Sequence, residues 1–124
     1  MSDKYQLRWD PERPVLHEVI GGDHWTDEDH QAYLVDLREL LKTAAADGFD
    51  VLSDSRDERI QESGSSDHES YTILADAGAR RCVQVVSSAV LAMQTGRMVR
   101  ESGAGDRLAV MWFTTMGEAE QALR

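Results

Sequence analysis

Three short apolar runs, spaced by stretches of helical periodicity, constrain this chain more than any other feature. Phe49-Asp50-Val51-Leu52, Cys82-Val83-Gln84-Val85-Val86 and Leu108 to Phe113 each have the length of a single strand. The last is apolar throughout, the pattern of a strand covered on both faces. Helical patterns separate and follow them. Thr26 offers an N-cap oxygen, and Asp27, Glu28 and Asp29 set carboxylates against the positive end of the helix dipole. Tyr33, Leu34, Leu37, Leu40, Leu41 and Ala44 then recur as one stripe, which predicts a helix from about Thr26 to about Ala46, with Gly48 as its stop. Ser66 and Glu69 have capping-box spacing before a short helix carrying Tyr71, Ile73, Leu74 and Ala77 and ending at Gly78. Ser87 or Ser88 would cap a third helix through Val90, Leu91, Met93, Met98 and Val99 to Gly103. Thr115 and Glu118 repeat the capping spacing ahead of a last helix, with Ala119 and Leu123 on one face.

A hairpin pattern precedes all of this. Tyr5, Leu7 and Trp9 alternate with Gln6 and Arg8, the period of a strand with one buried face. Asp10-Pro11-Glu12-Arg13 reads as a turn, with Pro presetting φ. In the second strand, Val15 and Val19 fall on one face and Leu16 and Ile20 on the other. So short a link favours an antiparallel pair. The order is β-β-α-β-α-β-α-β-α, and strands separated by helices run parallel through right-handed crossovers. The predicted fold class is α/β: a mixed five-strand sheet with a leading antiparallel hairpin and four helices, in one domain over residues 1–124. Between Ser55 and Ser66 only Ile60 is aliphatic, so that stretch reads as a long loop.

Composition narrows the class of partner. With 41% hydrophobic residues in 124, the chain can build a core without staples. Cys82 is the only cysteine, so no internal disulfide forms, and with no signal-like N-terminus the expected compartment is the cytoplasm. No apolar run approaches the ~18 residues that would span a bilayer, so no membrane insertion is expected. A formal net charge of −10 argues against nucleic acid as a ligand, because phosphates repel an acidic surface.

Five segments add a further pattern to the order of elements. They are Val19-Ile20-Gly21-Gly22, Trp25-Thr26 at an acidic helix start, Val51-Leu52-Ser53-Asp54, Arg80 to Val86, and Trp112-Phe113-Thr114-Thr115-Met116-Gly117-Glu118-Ala119. In order and spacing these resemble the STAS and SpoIIAA-like group of small bacterial domains, nearest its uncharacterised branch sometimes labelled STAS/SEC14. The resemblance covers nearly the whole chain. It implies a SpoIIAA-like fold and a regulatory role exercised through a protein partner. In that group's anti-sigma-factor antagonists, a Ser or Thr after the third strand is phosphorylated within a pattern close to Asp-Ser-Ser-Gly. Asp54-Ser55 stands at that place here, but Arg56-Asp57 follows instead of a small residue and Gly.

Ligand sites in open α/β sheets gather beyond the carboxyl ends of parallel strands, which makes Asp54, Ser55, Arg56 and Asp57 a candidate binding or regulatory rim. Met93, Met98, Met111 and Trp112 are a candidate apolar pocket for a small, lipid-like ligand. Asp23, His24, Asp27, Asp29 and His30 cluster in sequence, but helix capping explains the carboxylates and no metal motif is present, so no metal is expected. His17 lies within a strand and His68 in a first helical turn, neither beside a nucleophile; Cys82, in an apolar strand, reads as buried and inert. No catalytic motif, Gly-rich phosphate loop or cofactor signature is found, although a triad assembled from distant residues stays open. The resulting expectation is a non-enzymatic regulatory or protein-interaction module that forms a homodimer. The alternative is a carrier or sensor of a small apolar ligand.

Overall fold

A computed structural model describes residues 4–21, 26–43, 48–56, 65–87, 93, 97, 100, 103 and 107–124. Among them run β1 (Tyr5–Asp10), β2 (Val15–Ile20), α1 (Asp27–Leu41), β3 (Phe49–Ser55), α2 (Ser65–Ala77), β4 (Ala79–Val86), β5 (Ala109–Phe113) and α3 (Met116–Ala122). The strands form one mixed sheet in the order β1-β2-β3-β4-β5. β1 and β2 are antiparallel, and every later neighbour is parallel. The α/β class, the leading hairpin and the five-strand mixed sheet are therefore as predicted. The helix predicted between Ser87 and Gly103 falls largely outside the described residues; of it, Met93, Arg97 and Arg100 are helical and exposed.

Local chemistry starts α1 and α3. The Thr26 side chain accepts from the Asp29 backbone N–H, and the Asp29 carboxylate accepts from the Thr26 N–H, closing a capping box. Thr115 caps α3 by accepting from the Glu118 N–H. The hairpin turn is held by Asp10, whose carboxylate accepts from the Glu12 N–H at 3.0 Å.

Three boundaries differ from the sequence reading. α1 stops at Leu41, short of Ala46, because the chain turns at Lys42 and the Thr43 hydroxyl donates to the Leu40 carbonyl. Gly48 does not cap that helix; at φ 101° it leads into β3, where a Cβ would meet the Arg80 guanidinium at 2.9 Å. β3 and β4 are also longer than predicted: β3, expected to end near Ser53-Asp54, runs through Ser55, and Ala79 to Arg81 join β4. Pairing between β3 and β4 there outweighs the local preference of the residues.

The two sheet faces are covered unequally. On one face, α1 and α2 bury Tyr33, Leu34, Leu37, Tyr71 and Leu74 against Tyr5, Leu16, Phe49, Val51 and Cys82. Each fully buried side chain of this size contributes roughly 1.5–3 kcal/mol. On the other face, α3 sets Ala119 and Leu123 against Leu52, Val83 and Val85. Among the described elements, this short helix reaches β3, β4 and β5 but not the hairpin. Arg81 anchors it: the guanidinium holds Asp50 at 3.0 and 2.6 Å and also donates to the Ala122 carbonyl at 3.1 Å.

Candidate functional site

The uncovered part of the α3 face forms an open groove of about 610 Å³. β1 contributes Gln6 and Arg8, β2 His17 and Val19, β3 Leu52 and Asp54, and α3 Met116 and Glu120. Strand alternation selects the six strand residues, because each is a neighbour of one that points toward α1 and α2. His17 is centred among them, directly across from Arg8 on one side and Leu52 on the other. Val19 is 42% exposed, which is unusual for a large aliphatic group in mid-sheet. Val19, Leu52 and Met116 make an apolar floor, and Arg8, Asp54 and Glu120 make a rim of mixed charge.

The electrostatics of the groove are specific. The His17 Nε2 is buried and has no hydrogen-bond partner among the described residues. Burial, reinforced by Arg8 and Arg13, pulls the His17 pKa below its ordinary value, with Asp10 and Glu120 opposing weakly. Both effects favour the neutral imidazole. Arg56 grips Asp54 in a fork, at 2.9 and 2.7 Å, and holds its carboxyl below the usual carboxylate range.

The structure separates the residues of the predicted rim. Asp54 lines the groove, whereas Ser55 points to the opposite face, 4% exposed, its Oγ 3.2 Å from the Ser53 Oγ. Arg56 is exposed and committed to Asp54; Asp57 lies outside the described residues. A buried Ser55 hydroxyl offers nothing for a phosphorylating enzyme to reach without local opening. Among the described residues, those of the predicted methionine pocket are not brought together either. Met111 packs toward α3, the Trp112 indole donates to Gln84 on the other face, Met93 is 74% exposed, and Met98 lies outside the described residues. The physical reason is period two: Met111 and Trp112 are adjacent in one strand and point to opposite faces. Of the sequence cluster of metal-ligand types, Asp29 is bound by Lys4 at 2.6 Å and by the Thr26 cap, and His30 is buried on α1; Asp23 and His24 lie outside the described residues. Among the described residues, no three His, Cys, Asp or Glu groups are placed to hold a metal ion. Cys82 is 1% exposed, and burial pushes its thiol pKa far up.

Sequence reasoning missed a second feature, a polar row under α1 and α2. The register places Glu18, Ser53, Gln84 and Trp112 side by side across four strands. Glu18 accepts from the Tyr33 hydroxyl at 2.8 Å, and Gln84 donates to the Tyr71 hydroxyl at 2.7 Å while accepting from Trp112 at 2.9 Å. The signal was present as a polar residue at an inward position of each strand, Gln84 within Cys82 to Val86 above all. This row ties α1, α2 and β5 to the sheet and fixes their placement.

Comparison with protein-family models, curated proteins and solved structures finds no significant match to this chain. Among the described residues, no helix is long and apolar enough to cross a membrane.

Proposed function

We propose that the chain is a SpoIIAA-like, non-enzymatic interaction module whose groove receives a basic protein partner, an apolar side chain of which seats on Val19, Leu52 and Met116. The observation that carries this is the unequal cover of the sheet: a half-exposed valine and an unpartnered imidazole nitrogen lie where a further element would normally pack. The occupant's charge follows from the chain's own. At net −10 the field of the whole chain steers cations; on the mixed rim Arg56 already holds Asp54, which leaves Glu120 for a partner's base and Arg8 for a partner's carboxylate. The element order supports the family reading, and the buried Ser55 favours binding by surface over a phospho-switch at that residue.

A photo-crosslinking residue placed at Val19 tests this, with the same residue at Val35 as control. Val35 is 53% exposed on α1, remote from the groove. The expected result is one basic protein crosslinked from Val19 and none from Val35. Equal yields from both positions, or none from Val19, would remove the proposal. One observation favours a second reading, a small apolar ligand: about 610 Å³ lies in the range of small-molecule sites. Native mass spectrometry showing an added small mass, lost in Val19→Arg, would select it.

A further inference from the structure

The run Leu108 to Phe113 predicts a strand covered on both faces, yet β5 is the last strand of the sheet. No described strand pairs with its outer edge, and Val110, Met111, Trp112 and Phe113 are only half-buried. Natural sheets defend such edges with charge, proline or bulges. β1, at the opposite end, has Arg8 in mid-strand and Pro11 just beyond it. β5 has none of these between Ala109 and Phe113.

We infer that two copies of this chain pair antiparallel through β5, joining their sheets into one of ten strands. The sequence of the strand is self-complementary about its centre. With Met111 on the two-fold axis it faces its own copy, Val110 faces the second copy's Trp112, and Ala109 faces the second copy's Phe113. Each off-axis pair sets a small side chain against a large one, and no charge opposes a like charge. The next residue outward, Leu108, would face Thr114, again uncharged. Two-fold pairing of a single edge also closes, because each copy has used its one undefended edge. This site lies at the far end of the sheet from the hairpin that lines the groove, so it stands whether or not the groove binds a partner.

Cys82 is buried, which leaves the native chain without an accessible thiol among the described residues and makes cysteine crosslinking a clean test. Directly opposed strand residues have Cα separations within disulfide range. Met111→Cys should give a covalent dimer under mild oxidation, and Gln6→Cys on β1 should not. In sedimentation equilibrium the wild type should show twice the 13.9 kDa chain mass. Met111→Lys, which sets two like charges on the axis, should weaken the dimer at least about tenfold, with its folding checked by circular dichroism. A wild type that stays monomeric at high concentration would overturn the inference. So would a dimer that crosslinks through Gln6→Cys but not through Met111→Cys, a result that needs no lysine variant to fold.

Discussion

Replacing Gln84 by leucine probes the polar row at the residue that joins three elements. The side chain is 5% exposed, donates to the Tyr71 hydroxyl at 2.7 Å and accepts from the Trp112 indole at 2.9 Å. Leucine matches the volume closely, so the cavity term is small and the hydrogen bonds dominate. Tyr71 is 5% exposed, so losing its donor costs near the middle of the ~1–3 kcal/mol range for a buried group. Trp112 is half-buried and can turn toward water, which puts its loss at the low end. Leucine gains some apolar burial in return. The net expectation is about 2–3 kcal/mol of destabilisation. At roughly 2.1 cal/mol/K of unfolding entropy per residue, that lowers Tm by about 10 °C. Urea unfolding followed by circular dichroism reads the free energy directly. Adding Tyr71→Phe makes the reasoning sharper, because removing both partners of a hydrogen bond costs less than the two single changes summed. A coupling of about 1 kcal/mol is expected. A neutral Gln84→Leu, or strict additivity with Tyr71→Phe, would refute the claim that the row holds α2 and β5 in place.

Arg81→Met removes the fork from Asp50, which is 8% exposed, and the donor from the Ala122 carbonyl, and should cost about 2 kcal/mol after allowing for the half-buried guanidinium. Hydrogen exchange should rise first in Met116–Ala122, and uniform loss of protection across the sheet would contradict the anchoring role. Lys4 and the Thr26 cap hold the Asp29 carboxyl down to about 2. Because that value lies below the unfolded one, the capping contribution is complete above about pH 4 and is lost as pH falls through about 2. A carboxyl-detected NMR titration of Asp29 with a midpoint near 4 would contradict the capping box. Cys82 should react with a thiol reagent only on unfolding; prompt labelling of the native chain would place it at the surface instead.

The sequence made the elements legible where local chemistry decides them. Val15–Ile20 matches its alternation residue for residue, and Thr26 and Thr115 start helices because their hydroxyls sit three residues before an acceptor-bearing side chain. Ends set by tertiary contact were harder. Ala44 to Ala46 invites a helix by propensity, but the chain has already turned at Lys42. Ser53-Asp54 reads as the end of a strand and Ser55 as the start of a loop, yet pairing with β4 carries the strand through Ser55. Asp54 was singled out from its place after a parallel strand, and it does line the groove, but its neighbour Ser55 points away. The rest of the groove could not be read locally. Arg8, His17, Leu52 and Glu120 meet only because α3 packs on the opposite face from α1 and α2 and stops short of the hairpin. The apolar run in β5 predicts cover on both faces, yet Ala109 is exposed and Val110 to Phe113 are only half-buried, because β5 is the last strand of the described sheet.

The groove is tested most directly by affinity. Once the protein crosslinked from Val19 is in hand, its dissociation constant should be measured for the wild type, Val19→Glu and Val35→Glu. A carboxylate on the apolar floor should weaken binding at least about tenfold, since a buried, unpaired charge costs more than the ~1.4 kcal/mol that a factor of ten represents. Val35→Glu adds the same charge to α1 and should leave binding within about twofold, because it lies on the far side of the sheet. Equal losses from both substitutions, or none from Val19→Glu, would show that the partner does not sit in the groove.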